Sequence, residues 1–183
     1  MNFVTYSSAQ PIPEEAAAQL LSLMREAFPP AERRTDEEFR QLFSHPQVQI
    51  LCAREDEQLH GFLFLWVLRD FVFVENFAIQ PASRNLGLGS AMLSHLKEQF
   101  HLPVILEVEP PEDELTRRRV AFYERNGFCL NTCEYYLPCL HKAIDRSVQL
   151  NIMSSPEPLP ENSCQAVIEE LYGTVYQGKP VRK

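Results

Sequence analysis

Several things are missing from this chain, and each absence removes a class of function. It has no long apolar run: the longest, "FLFLWVL" at 62–68, is far too short to span a bilayer, so no membrane partner is expected. Its first residues, "MNFVTYSSAQPIPEEAA", lack a basic segment followed by an apolar one, which predicts no secretion signal and a cytoplasmic location. Basic residues are outnumbered, and the formal net charge of −8 argues against broad phosphate neutralisation, so no nucleic-acid partner is expected. There is no CxxC pair among the five cysteines, Cys52, Cys129, Cys133, Cys139 and Cys164. The stretch "CLNTCEYYLPCLH" alternates like a strand, so the expectation is reduced thiols and no metal site. No internal repeat is present.

Glycine is scarce too, with six in 183 residues, yet Gly87 and Gly89 stand two apart. They lie in "VENFAIQPASRNLGLGSAMLSHLKEQF", between a β-like run and a helical pattern. A helix start presents unpaired backbone N–H groups and the positive end of the macrodipole, a natural anion site. Glycine lets a phosphate approach that backbone with no Cβ in the way. A P-loop would need a lysine after Gly89, and none follows. The dinucleotide fingerprint would need a third glycine where Met92 stands. The turn Arg/Gln-x-x-Gly-x-Gly/Ala is matched at each specified position by Arg84-Asn85-Leu86-Gly87-Leu88-Gly89.

The rest of the chain is what a soluble globular domain contains, at 45% hydrophobic and 23% charged. A strand is expected at "NFVTYSS" and a helix from Glu14 to Phe28, ended by Pro29-Pro30. Thr35 and Glu38 form a capping-box pattern for a second helix, Asp36 to Phe43. "VQILCARE", "LHGFLFLWVL" and "FVFVENFAI" read as an antiparallel meander. A helix from Gly87 to about Phe100, the strand "PVILEVE" and a helix from about Asp113 to Asn126 follow, with Gly127 as its C′ stop. "FCLNTCEYYL" and "SVQLNIM" read as two last, paired strands. The fold class is α+β, a central mixed but mostly antiparallel sheet of about seven strands flanked by helices. Residues 1–153 form the domain. Residues 154–183 are a Pro-rich linker and a short amphipathic helix carrying Val167, Ile168, Leu171 and Val175.

At "ENFAIQPASRNLGLGSAML", "VILEVE" and "AFYERNGF", in this order, the sequence resembles the GNAT superfamily of acetyl-CoA-dependent N-acetyltransferases. The resemblance covers about Asn2 to Met153 and implies a transferase that uses acetyl-CoA as acyl donor, with no metal. It implies that backbone amides of Leu86, Gly87, Leu88, Gly89 and Ser90 grip the coenzyme pyrophosphate, with Arg84 shaping the turn and Asn85 within it. Phe77, Ala78 and Ile79 would pair with the pantetheine arm. Tyr123 would donate a proton to the departing thiolate. Glu75 or Glu107 would take a proton from the acceptor amine, with Glu75 preferred; both lie in otherwise apolar strands.

Arg117, Arg118 and Arg119 stand either near the coenzyme phosphates or on a solvated helix face. Arg33 and Arg34 lie in the loop that in this family borders the acceptor site, where they would select an acceptor bearing a carboxylate. The acceptor is a small-molecule or peptide amine, and a homodimer through the last strands or the tail is compatible with the pattern. The alternative is a catalytically silent module that binds coenzyme A as a sensor or interaction domain. The unusual tail motivates that alternative.

Overall fold

The computed structural model describes residues 1–140, 146–160 and 162–183. The chain divides into two compact units, Met1–Leu102 and Pro103–Lys183. His141, the last residue of the cysteine-rich stretch, and Glu161 of the Pro-rich linker lie outside the described residues.

The first unit runs β1 (Asn2–Ser7), α1 (Glu14–Ala27), α2 (Asp36–Leu42), β2 (Val48–Glu55), β3 (Gln58–Val67), β4 (Val72–Ile79) and α3 (Leu88–Gln99). Its strands pair β1-β2-β3-β4, antiparallel throughout; the two tight connections predict the β2-β3-β4 part, and β1 adds to the β2 edge. In β3 the consecutive residues Phe62 to Trp66 are all fully buried, which is why that run is unbroken by polar residues. Helix α1 packs on β3 and β4 through Ala16, Ala17, Leu20, Leu21, Leu23 and Met24, one apolar stripe at helical spacing. It ends at Phe28, whose backbone is extended because the residue before a proline is pushed out of the helical region. The Thr35–Glu38 capping box opens α2 with both reciprocal bonds formed.

The register carries two irregularities that periodicity does not reveal. Ala53 faces Gly61 and Arg54 faces Leu59, so His60 is an extra residue in β3. Phe64 faces Asn76 and Leu65 faces Val74, so Glu75 is an extra residue in β4. A bulge of this kind re-aims its side chain.

The second unit runs β5 (Val104–Val108), α4 (Glu114–Arg125), β6 (Cys129–Leu130), β7 (Tyr135–Leu137), β8 (Val148–Ser155) and α5 (Cys164–Glu170). Strands β5, β6 and β7 each pair antiparallel with β8. Helix α4 starts with an Asp113–Thr116 capping box and stops at Gly127, whose φ of 76° is the left-handed C′ conformation.

Three expectations need correction here. The run "FCLNTCEYYL" is two short strands, which raises the strand count to eight. Asn131 interrupts it: its amide Nδ2 donates to the Ile152 carbonyl and Ser154 Oγ, and its Oδ1 accepts from the Leu159 amide at 2.7 Å. Strand β8 runs through Ser154 and Ser155, two residues past the expected end. The five cysteines are not all thiols: Cys133 and Cys164 form a disulfide, with Cα atoms 6.0 Å apart. That bond joins the loop before β7 to the first residue of α5.

Helix α5 continues into a π turn, Leu171–Val175, and the predicted stripe of Val167, Ile168, Leu171 and Val175 is buried. No helix of the described residues is long and apolar enough to cross a membrane. Among those residues no cluster of three or more His, Cys, Asp or Glu side chains is placed to hold a metal ion.

Candidate active site

In the first unit the glycine turn follows a single 3₁₀ turn, Pro81–Ser83, at the end of β4. Gly87 is the N-cap of α3, in the left-handed region at φ 77°, and no side chain caps the helix. A Cβ at Gly87 would meet nothing within 4 Å, so its glycine is required by conformation and the space above it is open. The first-turn amides of α3 therefore face outward with no capping acceptor. Asn85 is also left-handed, at φ 61°, and Leu86 is exposed.

The turn is braced from below. Arg84 Nε donates to the Ile79 carbonyl at 3.0 Å, tying the loop to the end of β4. The bulged His60 holds the 3₁₀ turn twice. Its carbonyl accepts from the Gln80 amide at 2.8 Å, and its Nδ1 lies 2.8 Å from Ser83 Oγ, a buried hydroxyl. Next to it, a Cβ on Gly61 would fall 3.0 Å from the Ala78 carbonyl oxygen and 2.6 Å from Ile79 Cδ1, so the small glycine lets β3 and β4 meet this closely. His60, Ser83 and Gly61 are absent from the sequence reading; they bind through cross-strand neighbours that a linear motif does not display. Phe77, Ala78 and Ile79 pair with Leu63, Phe62 and Gly61 of β3.

The side chain of Glu75, the bulged residue, is 5% exposed and doubly held. Arg34 Nε donates to Oε1 at 2.7 Å and Trp66 Nε1 donates to Oε2 at 2.6 Å. The Arg34 side chain is itself only 3% exposed, and its guanidinium carbon lies 6.0 Å from the Trp66 ring centre. The carboxylate that Arg34 meets is therefore this chain's own, which corrects its expected part in selecting an acceptor. Arg33 lies with Nη1 3.9 Å from Asp36.

In the second unit, Tyr123 is in α4, edge-on to Phe122 and Phe128. Burial pushes its phenol up to about 12, with the nearby Arg119 charge opposing weakly. Its hydroxyl has no hydrogen-bond partner among the described residues. Glu107 lies in β5 opposite Ile152, and Tyr135 in β7 opposite Leu150, so the register puts both on one face of β8. There the Glu107 carboxylate accepts from the hydroxyls of Tyr135 and Tyr176. Desolvation first, and then the Glu107 charge, holds Tyr135 well above the usual phenol range. Arg117, Arg118 and Arg119 are exposed and pair with the Glu112 carbonyl, Glu114 and Glu109, a solvated helix face.

The fold that carries these residues has counterparts in known proteins. The chain matches the GNAT acetyltransferase family over residues 17–128. It is similar along its length to a GNAT-family acetyltransferase, assigned by similarity, from Bacteroides thetaiotaomicron: 30% identity, TM-score 0.84, covering 96% of this chain and 98% of that one. The fold recurs in the ribosomal-protein-S18-alanine N-acetyltransferase of Escherichia coli, at 19% identity and TM-score 0.60, covering 88% and 98%. It recurs also in an aminoglycoside 6'-N-acetyltransferase solved with coenzyme A, at 14% identity and TM-score 0.60, covering 88% and 100%. No curated protein matches the chain. The chain belongs to the GNAT acetyltransferase family, and its α+β fold and acyltransferase class follow from that membership.

Proposed function

We propose that this enzyme transfers the acetyl group of acetyl-CoA to a primary amine by direct attack, with no covalent enzyme intermediate. The observation that carries the reading is the open, uncapped helix start at Gly87. Amides of Leu86 to Ser90 would hold the coenzyme pyrophosphate there, on a turn shaped by Arg84 and Asn85. The end of β4, Phe77 to Ile79, would receive the pantetheine arm. The amine nitrogen attacks the thioester carbonyl, the C–S bond breaks, and Tyr123 supplies the proton that the thiolate takes up. The phenol is protonated at neutral pH, so the proton this step needs is present on Tyr123.

The choice of base turns on hydrogen-bond capacity. Arginine and tryptophan donate only, so a proton arriving on Glu75 would meet two donors and no acceptor. Tyrosine hydroxyls donate and accept, so Tyr135 and Tyr176 can serve Glu107 with or without the proton. We therefore assign the proton acceptor to Glu107, reached through water, and give Glu75 the task of holding Arg34 and Trp66. Glu107→Gln is expected to lower kcat by about 10²-fold or more while acetyl-CoA affinity stays. Retained turnover in that variant, with turnover lost in a folded Glu75→Gln, would return the role to Glu75.

Two proteins of the same fold act, by their names, on an alanine of ribosomal protein S18 and on aminoglycosides. Alanine-ended peptides and aminoglycosides are therefore the first acceptors to screen, with release of coenzyme thiol as the readout. The cytoplasmic location belongs to the proposal as well. There the Cys133–Cys164 bond would meet reducing thiols, and its state in cells is measurable by thiol labelling.

A further inference from the structure

The tail after β8 carries Tyr176, and its whole arrangement directs that residue to one carboxylate. The π turn closes the Tyr176 amide onto the Leu171 carbonyl at 2.9 Å. Tyr176 is fully buried, and its hydroxyl lies 2.9 Å from Glu107 Oε1 and 3.1 Å from Oε2, across 69 positions of sequence. Four further ties keep the tail seated. Cys164 is bonded to Cys133, two residues before Tyr135. Tyr172 stacks on Tyr135 with ring centres 5.6 Å apart and donates to the Tyr136 carbonyl at 2.8 Å. The Cys139 amide donates to the Pro180 carbonyl at 2.9 Å. The Ser147 amide donates to the Arg182 carbonyl at 2.9 Å.

A tail that only covered apolar surface would do so with Val167, Ile168, Leu171 and Val175 alone. A phenol spanning both oxygens of a strand carboxylate adds orientation, because it restricts which way the carboxylate plane faces. We infer that Tyr176, delivered by the C-terminal segment, is a positioning residue for Glu107, acting with Tyr135. The inference rests on the reading of Glu107 as proton acceptor for its catalytic meaning, but the contact it describes is measurable without turnover. The appendage is then part of the catalytic apparatus, and the disulfide ties together the two segments that supply the hydroxyls.

The test follows the Glu107 carboxyl resonance against pH in protein labelled with carboxyl-¹³C glutamate, assigned by its loss in Glu107→Gln. Removing the donor in Tyr176→Phe should raise the midpoint by about one pH unit, the scale of one hydrogen bond to a charged group. An unmoved midpoint in a folded Tyr176→Phe protein overturns the inference and leaves the tail as packing only. Uniform 3-fluorotyrosine substitution is a second measurement that needs no mutation. Its more acidic hydroxyls donate more strongly and should move the midpoint downward, and no movement there counts against the pair. Turnover of Glu107→Gln separates the two readings. Full activity there would sink the base assignment while the titration still decides whether Tyr176 holds the carboxylate.

Discussion

Glu75 and Glu107 are both strand carboxylates among apolar neighbours, and they differ in the company their oxygens keep. Glu75 sits between a guanidinium and an indole N–H. Breaking that buried pair by Arg34→Met leaves a stranded carboxylate, and stability in urea should fall by about 3–5 kcal/mol. The double variant Arg34→Met/Glu75→Leu should recover most of the loss, because two apolar groups leave no uncompensated charge. Tyr123 makes a separate prediction. Its phenol is held up to about 12 by burial, against about 10 in the unfolded chain. Between those values the unfolded chain binds fewer protons, so this contribution to stability is complete below pH 10 and is lost as pH rises toward 12. Tyr123→Phe should flatten that alkaline fall in a melting series. It should also lower kcat by about 10²-fold with acetyl-CoA affinity retained. Unchanged turnover would remove Tyr123 from the mechanism.

At the scale of elements, helix α3 depends on a residue outside it. Gly87 is left-handed with open space around it, so Gly87→Ala should cost about 1–2 kcal/mol through backbone strain alone. In the tail, Leu171 is fully buried, and Leu171→Ala should cost about 2–5 kcal/mol by chemical denaturation. Losing the Cys133–Cys164 bond, which closes a 31-residue separation, should cost about 2–4 kcal/mol by loop-closure entropy.

These elements were unequally legible in the sequence. The Thr35 capping box, the Pro29-Pro30 stop, the meander and the Gly127 cap were readable because each is decided within a few neighbouring residues. The bulges at His60 and Glu75 were not, since a bulge is a relation between two strands and leaves the alternation of either one nearly intact. The valine and leucine spacing of the tail announced a buried face. It carried no signal that the next residue, Tyr176, would reach Glu107, because nothing local encodes a partner 69 positions away. The glycine turn was visible for the opposite reason: the function proposed for it is carried by backbone, and glycine is how a sequence writes backbone.

For the molecule as a whole, family membership establishes an acyltransferase, and the proposal adds a donor site at the start of α3 and a proton acceptor at Glu107. The net charge of −8 suits a cationic amine acceptor. Assembly is tested separately. Light scattering on the full chain reads it directly: twice the single-chain mass supports a homodimer, and a single-chain mass removes it. The central claim is that the bare backbone at Gly87 and Gly89 exists for a pyrophosphate. Titration calorimetry with acetyl-CoA tests it most directly, on the wild type and on Gly89→Glu, whose side chain would bring a negative charge and bulk to the helix start. The account predicts saturable binding by the wild type and its loss in the folded variant. No binding by the well-folded wild type would contradict it, and the glycine turn would then be a structural turn only.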